Sequence, residues 1–238
     1  MNIKLADRMS RLGTETAFEV LAKAKKLEAE GKTIIHLEIG QPDFPTPKNI
    51  CDAAIASIKA GDHGYTPSNG IIELRKVIAD YITRTRGVQR DADEVVMMPG
   101  AKPVMFYAML ALVNEGDEVI YPNPGFPIYE SMINFVGGKA VPLKLEESKN
   151  FSFDVEDLKK LITPKTKLII INTPQNPTGG ILTEDTIRKI ADVIKDTDIM
   201  VLSDEIYSRL IFTGEHFSIT QIPGMLERTI ILEGFSKT

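Results

Sequence analysis

The sequence predicts an α/β fold with a mostly parallel sheet that is covered by helices on both faces. From about residue 48, stretches with a helical period alternate with strand-like stretches, most of which are short continuous apolar runs. Such alternation is typical of βα units, and continuous apolar runs are typical of strands buried on both faces. With 238 residues, of which 43% are hydrophobic, the chain can bury one sizeable core.

Two elements are predicted before this alternation begins. Residues 14–30 place their apolar side chains on one face of an amphipathic helix, and Gly31 follows as a stop signal. Residues 33–39 then have a strand-like pattern.

Prolines mark the boundary that follows these two elements. Pro42, Pro45 and Pro47 lie close together, and a proline continues neither a helix nor a sheet ladder. We therefore expect residues 1–42 to form an N-terminal arm and part of a small domain, and residues 43–238 to form a large domain.

The alternating part supplies the remaining elements. The predicted helices cover residues 48–60, 70–86, 102–114, 126–136, 154–162 and 183–196. The predicted strands cover residues 94–98, 118–121, 139–143, 168–172, 200–203 and 229–232. In parallel α/β sheets the functional residues gather beyond the carboxyl ends of the strands, so polar side chains that follow these strands are the candidates.

Composition narrows the classes of function. The net charge is −5 with acidic and basic residues mixed along the chain, so we expect no nucleic-acid partner. The first residues lack the apolar stretch of a signal peptide, and no apolar run is long enough for a bilayer, so we expect a cytoplasmic protein without membrane contact. Cys51 is the one cysteine, which fits a reducing compartment, and we expect it to be buried. We expect no metal site.

Three of the predicted strands are each followed by a cluster of polar residues. Asn176 lies in the turn-forming Asn-Pro-Thr-Gly segment 176–179, Asp204 and Tyr207 follow the strand at 200–203, and Lys237 follows the strand at 229–232. A lone lysine is usually a solvated surface charge. A lysine at a strand end, in order with an asparagine and an aspartate at two other strand ends, indicates a catalytic group instead.

This ordered set resembles the pyridoxal-phosphate (PLP) dependent aminotransferases of class I and II, which have fold type I. The resemblance covers nearly the whole chain. It implies the α/β large domain of the PLP-transferases, with PLP as the cofactor bound by residues 43–238. The small domain is then largely absent from this sequence.

The resemblance implies a role for each of these polar residues. Lys237 is the Schiff-base lysine, which also moves the proton at the substrate α-carbon. Asp204 faces the pyridinium nitrogen, where a carboxylate keeps the ring protonated. Tyr207 and Asn176 contact the phenolic oxygen of the cofactor, and Asn176 also contacts the substrate carboxylate.

Further residues are implied around the phosphate and the ring. Gly100, Ala101 and Lys102 open a predicted helix after a predicted strand, where small residues and the helix dipole favour a phosphate. By the same resemblance, Ser236 helps to hold the phosphate and Phe126 stacks on the cofactor ring.

Three implied roles concern the substrate and a second subunit. Tyr65 matches the tyrosine that reaches the phosphate of the neighbouring subunit's cofactor, which implies a homodimer with shared active sites. Gly40 matches a glycine that approaches the substrate. Lys102 matches a lysine that pairs with the distal carboxylate of the substrate in one subgroup of aspartate aminotransferases. The implied partners are an amino acid and a 2-oxo acid, and aspartate is favoured over aromatic or broad specificity.

Family members continue well beyond the lysine. The arginine that binds the substrate α-carboxylate lies outside this sequence, as does a strand that the family places between residues 94–98 and the strand before Lys237. We therefore expect a gap in the sheet and a 238-residue chain that is by itself inactive or nearly so.

Two alternatives to an aminotransferase remain open at this point. A PLP-dependent carbon–sulfur β-lyase shares the same lysine, aspartate, tyrosine and asparagine, and dependence on a 2-oxo acid would separate the two activities. A non-catalytic module built on an aminotransferase-like domain is the other alternative.

Overall fold

Five parallel strands form the sheet, and the α/β class predicted from the sequence is confirmed. The computed structural model describes residues 3–13 and 16–237. Within them the sheet has the order β2-β1-β3-β4-β5, so the chain crosses over between several neighbouring strands. The strands are β1 (Glu118–Asn123), β2 (Lys139–Lys144), β3 (Thr166–Asn172), β4 (Met200–Asp204) and β5 (Thr229–Leu232).

The six helices predicted from residue 48 onward are present, with ends within two residues of the prediction, and so is the helix predicted at residues 14–30. The helices are α1 (Thr16–Ala29), α2 (Lys48–Ala60), α3 (Ile72–Arg86), α4 (Ala101–Leu112), α5 (Ile128–Val136), α6 (Val155–Leu161) and α7 (Glu184–Ile194). Local chemistry sets several of these ends. Gly87 ends α3 in the left-handed region with φ 68°, where a side chain would be strained. The side chain of Thr183 caps α7 by accepting a hydrogen bond from the backbone N–H of Thr186.

The sheet is buried on both faces, which explains the continuous apolar runs. Side chains alternate along β3, so Leu168 packs with α4 and α5 on one face, and Ile169 packs with α6 and α7 on the other. Tyr129 of α5 and Ile194 of α7 are both fully buried in these two layers. Each large apolar side chain buried in this way contributes about 1.5–3 kcal/mol.

Two predicted strands are wrong. Residues 33–39 are irregular, with Ile35 and Leu37 exposed to 84% and 89%. In the predicted strand 94–98, Glu94 ends a short 3-10 helix and residues 95–98 belong to no strand. The latter segment has a backbone hydrogen bond from the Met97 N–H to the carbonyl oxygen of Asn69, at 3.1 Å. An extended segment becomes a strand only beside a partner, and none of the described strands lies next to either segment.

The helix α2 lies at the periphery of the described residues. None of its side chains is buried, and Ile55 and Ile58 are exposed although the helix is amphipathic. Cys51 is exposed as well, so the expectation that it is buried is wrong. Among the described residues, no helix combines the length and apolar character needed to cross a bilayer.

A tight turn after β1 generates a test of the fold. A Cβ atom on Gly125 would lie 2.1 Å from the carbonyl oxygen of Pro122, which is backbone and cannot rotate away. We expect Gly125→Ala to lower the free energy of unfolding by about 1–3 kcal/mol, measured by urea denaturation. The matched control is Gly64→Ala, because a Cβ there meets no atom within 4 Å. Equal stability of the two variants would contradict this description of the turn.

Candidate active site

The ends of β3, β4 and β5 lie side by side, and this alignment builds the site. Asn172 pairs with Asp204, and Asp204 pairs with Leu232, in parallel register. The pattern extends past the last strand residue, because the Glu205 N–H donates to the Leu232 carbonyl oxygen at 2.9 Å. We call the last residues of these three strands, together with the residues that follow them, the carboxyl edge.

Asp204 is a buried carboxylate at the centre of the carboxyl edge. Its side chain accepts a hydrogen bond from the Tyr129 hydroxyl at 2.5 Å on Oδ2, and one from the Ile206 N–H at 3.3 Å on Oδ1. Burial raises the pKa of Asp204 to about 6, the charges of Glu233 and Glu205 add to the rise, and the Tyr129 hydrogen bond opposes it. Burial also raises the pKa of Tyr129, so its hydroxyl stays protonated and remains a donor.

The loop after β3 is ordered by the side chain of Asn172. Its Oδ1 accepts a hydrogen bond from the Asn176 N–H at 2.8 Å, and its Nδ2 donates to the Asp204 carbonyl oxygen at 3.1 Å. Gln175 extends the connection by donating to the Pro124 carbonyl oxygen at 2.7 Å. The segment that carries Asn176 is thereby linked both to the end of β4 and to the turn before Phe126.

Aromatic and small residues surround the same edge. The rings of Phe126 and Tyr129 meet edge to face with centroids 5.8 Å apart. Phe126, Tyr207 and Ala101 are all partly buried against the hydrophobic layer that contains Tyr129. The site is therefore bounded on this face by α5 and by the start of α4.

The start of α4 is an open helix N-terminus. Gly100 precedes it with φ 99° and has no side chain that could cap the helix, and no other atom lies within 4 Å of where a Cβ would be. A helix start of this kind presents backbone N–H groups and the positive end of the helix dipole, which together favour a phosphate.

Lys237 lies on the segment that follows β5. Its Nζ donates a hydrogen bond to the carbonyl oxygen of Gly40 at 3.0 Å. Gly234 lets this segment pack closely on the residues after β4, because a Cβ there would lie 3.0 Å from Cδ1 of Ile206. The lysine and the glycine from opposite ends of the sequence are therefore in contact.

The sequence of this chain was compared with those of known protein families and proteins. Residues 32–238 match the sequence profile of the family described as Aminotransferase class I and II. The chain belongs to this family. The aspartate aminotransferase of Bacillus subtilis (strain 168) is 40% identical over 238 residues, which are 99% of this chain and 61% of the relative.

Solved structures of family members have the same fold. The Thermus thermophilus aspartate aminotransferase with maleate superposes with a TM-score of 0.95 at 32% identity, and this chain covers 61% of it. The aromatic aminotransferase of Pyrococcus horikoshii OT3 superposes with a TM-score of 0.84 at 37% identity, over 91% of this chain. The chain thus spans about three fifths of the length of these family members.

Three of the predicted site residues are exposed in the structure. Tyr65 is fully exposed in the loop between α2 and α3, and Ser236 is exposed beside Lys237. Lys102 is also exposed, with its Nζ 5.7 Å from the centroid of the Phe18 ring on α1.

Sequence reasoning missed two features of the site. Tyr129 holds Asp204, and its one signal was the position three residues after Phe126 at a helix start. A group of charges on the buried Arg86 and Glu205 and the partly buried Glu233 was also missed, although charged residues next to buried strands are unusual.

The residues at the carboxyl edge fit PLP, the cofactor that the family uses. A buried carboxylate suits the ring nitrogen, an open helix N-terminus suits the phosphate, and a lysine amine suits the aldehyde. No group of three or more His, Cys, Asp or Glu side chains that could hold a metal ion occurs in residues 3–13 and 16–237.

The raised pKa of Asp204 generates a test of the site. Folding raises this pKa from 3.8 to about 6, so the carboxyl contributes stability below pH 3.8 that is lost as the pH rises through 6. We expect Asp204→Asn to make the cofactor-free protein more stable at pH 8, on the order of 1–3 kcal/mol in urea unfolding, with no gain near pH 3.5.

The control for this test is Asp192→Asn, which changes an exposed aspartate paired with Lys195. Its effect at pH 8 should stay within about 0.5 kcal/mol. A loss of stability in Asp204→Asn at pH 8 would contradict the burial of a charged carboxylate at this position.

Proposed function

We propose that this protein transfers an amino group between an amino acid and a 2-oxo acid, with PLP as its cofactor. One observation carries the proposal. Three neighbouring strand ends bring the Asn176 loop, Asp204 and the Lys237 segment to one edge of the sheet, and the carboxylate among them is buried. The family described above supports amino-group transfer as the type of reaction.

Each part of the cofactor has residues that suit it. Asp204 would hold the ring nitrogen, and Phe126 would cover a face of the ring. The N-terminus of α4 at Gly100 and Ala101, together with Lys102 and Ser236, would hold the phosphate. Tyr207 and Asn176 would donate to the phenolic oxygen.

The chemistry then follows from what these side chains can do. When bound, PLP supplies an aldehyde that receives amino groups and a ring that withdraws electrons from the substrate α-carbon. Tyr129 holds Asp204 with one hydrogen bond, so the carboxylate keeps a fixed orientation and keeps a proton on the ring nitrogen. The Nζ of Lys237 accepts the α-proton of the amino acid, and Gly40 keeps this amine close to the carboxyl edge.

Aspartate is the amino acid that the sequence favours. Lys102 lies in the first turn of α4 with its side chain exposed, and its ammonium would pair with the distal carboxylate of a dicarboxylate substrate. The ring of Phe18 lies beside it, which connects this position to α1. Relatives named for aspartate and for aromatic substrates both match, so the assignment to aspartate is the finer part of the proposal.

The proposal also covers the oligomeric state of the protein and its location in the cell. We propose a cytoplasmic homodimer in which Tyr65, fully exposed in one chain, reaches the phosphate at the partner's site. The exposed apolar side chains of α2 are consistent with such a contact. We also propose that residues 1–42 belong to the arm and small domain, and that residues 43–238 bind the cofactor.

The role of Lys237 can be tested with two substitutions in the protein at its natural length. Lys237→Ala and Lys237→Arg should both lose the visible absorbance band that PLP gives when it is bonded to a lysine. Both should also slow 2-oxo-acid-dependent transfer from aspartate by about 10²–10⁴-fold, because neither side chain provides a basic amine. Lys195→Ala, which changes an exposed lysine on α7's end, is the control and should keep both properties. A normal band in Lys237→Arg would refute the assignment.

Lys102 provides a separate test of specificity. We expect Lys102→Met to lower kcat/KM for aspartate by about 10–100-fold, because a charge-assisted hydrogen bond to the distal carboxylate is lost. The kcat/KM for phenylalanine should change little. An equal loss for both amino acids would contradict a role in recognising the dicarboxylate, and Lys195→Met is the matched control.

A further inference from the structure

Four ionisable side chains that the reaction does not use lie together at the carboxyl edge and next to it. They are Arg86, Glu205, His216 and Glu233, and we call them the Glu205 cluster. Glu205 is fully buried, and its Oε2 accepts hydrogen bonds from Nε of Arg86 at 2.7 Å and Nε2 of His216 at 2.9 Å. The second arm of the Arg86 guanidinium, Nη2, donates to Oε2 of Glu233 at 2.7 Å.

Serine hydroxyls donate further hydrogen bonds to the two carboxylates. Ser203 and Ser218 donate to Oε1 of Glu205 at 2.8 and 2.6 Å, and Ser208 donates to Oε2 of Glu233 at 2.9 Å. Burial raises the pKa of Glu205, but His216, Arg86 and Ser218 more than offset it and hold that pKa at about 2. The carboxylate of Glu205 is therefore ionised at every physiological pH.

The Glu205 cluster connects segments that are far apart in sequence. Arg86 is the last residue of α3, and it lies 119 positions from Glu205 and 147 from Glu233. Glu205 directly follows Asp204, and Glu233 begins the segment that ends in Lys237. One guanidinium therefore bridges the segment that carries the ring-nitrogen partner and the segment that carries the lysine.

Stability alone is a poor explanation for such a cluster. Burying charges costs free energy that the ion pairs often do not recover, and apolar side chains of similar size frequently stabilise as well or better. A planar guanidinium that donates to two carboxylates at once fixes the distance and angle between them. That property is useful where two groups must hold one rigid ligand, since small displacements of reacting groups slow catalysis strongly.

We propose that the Glu205 cluster is a positioning device that fixes the distance between Asp204 and Lys237, so that both can hold opposite sides of one PLP molecule. This inference depends on the proposed function for its ligand. None of the four residues needs to touch the cofactor. Glu205 and Glu233 act through the backbone of the segments that carry Asp204 and Lys237, whereas Arg86 holds both glutamates and His216 holds Glu205. Arg86, at the end of α3, fixes the position of the two segments relative to each other.

A buried glutamate at the other end of the sheet supplies a matched control. Glu118 begins β1, is buried, and accepts hydrogen bonds from Lys139 at 2.8 Å and Thr163 at 2.6 Å. It lies at the amino ends of the strands, away from Asp204 and Lys237. Glu118→Gln and Glu205→Gln are thus the same chemical change in two buried, ion-paired glutamates. Glu205 is next to the site, whereas Glu118 is distant from it and pairs with the largely exposed Lys139.

The first measurement is hydrogen–deuterium exchange without cofactor, in the protein at its natural length. We expect Glu205→Gln to speed exchange of the Glu205, Ile206 and Gly234 amides by about tenfold or more, because their acceptors lie at the strand ends that the cluster fixes. Glu118→Gln should leave these amides unchanged. Unchanged exchange in Glu205→Gln would overturn the proposal, whether or not PLP binds.

The second measurement is the dissociation constant of PLP, taken by titration at a temperature where each variant is folded. We expect Glu205→Gln to weaken PLP binding by about tenfold or more, and Glu118→Gln to keep it even where its melting temperature falls as far. Arg86→Lys should lie between, because an ammonium keeps the charge but lacks the fork that holds both carboxylates.

Other outcomes of these measurements are also decisive. If Glu205→Gln does not fold, Glu233→Gln takes its place, since that side chain is partly exposed and its loss is milder. Equal weakening in Glu205→Gln and Glu118→Gln at matched stability would overturn the positioning role. A parent protein that binds no PLP would contradict the proposed function instead, and the exchange comparison would still decide whether the cluster fixes the two segments.

Discussion

The in-register parallel pairing of β3, β4 and β5 is the constraint on which the rest of the site depends. It places Asn172 beside Asp204 and Asp204 beside Leu232, so the residues that follow these positions share one edge. A shift of one residue would turn Asp204 to the other face of the sheet, away from Tyr129. The apolar side chains that fill both faces of β3 and β4 exclude such a shift, because each face is packed against its own pair of helices.

The burial that fixes the register also raises the free-energy cost of ionised carboxylates at the carboxyl edge. Asp204 and Glu205 are consecutive buried carboxylates, and the structure treats them in opposite ways. Glu205 has charged and hydroxyl partners that hold its pKa at about 2, whereas burial raises the pKa of Asp204 to about 6. The charge of Glu205 is fully neutralised by its neighbours, whereas Asp204 can still pair with a positively charged group. A protonated ring nitrogen is a group of that kind.

Much of the fold could be predicted from periodicity, and the failures have one cause. The bounds of α2 agree with the prediction at both ends, and five of the six strands predicted from residue 94 onward are present. The strand predictions at residues 33–39 and 94–98 failed because an extended pattern does not reveal whether a partner strand is available. The prediction that Cys51 is buried failed for the same reason, because the pattern of a helix shows which face is apolar but not whether another element covers that face.

Only those residues of the candidate site that directly follow predicted strands could be predicted from the sequence. Asn176, Asp204 and Lys237 follow strands one after another, so their common edge could be inferred before the structure. The hydrogen bond of Tyr129 to Asp204 joins residues 75 positions apart, and that of Arg86 to Glu205 joins residues 119 apart. Packing of a helix on a sheet creates both contacts, and no local pattern in the sequence encodes which helix residue will face which strand end.

The central claim is that the carboxyl edge holds PLP through Lys237, and covalent trapping tests it most directly. Borohydride reduction of the PLP-loaded protein converts a reversible lysine–cofactor bond into a stable secondary amine, and peptide mass analysis then locates the modified residue. The account predicts that the peptide containing Lys237 carries the label, and that prior exposure to aspartate removes it. Labelling spread over surface lysines, or confined to a lysine other than Lys237, would contradict it.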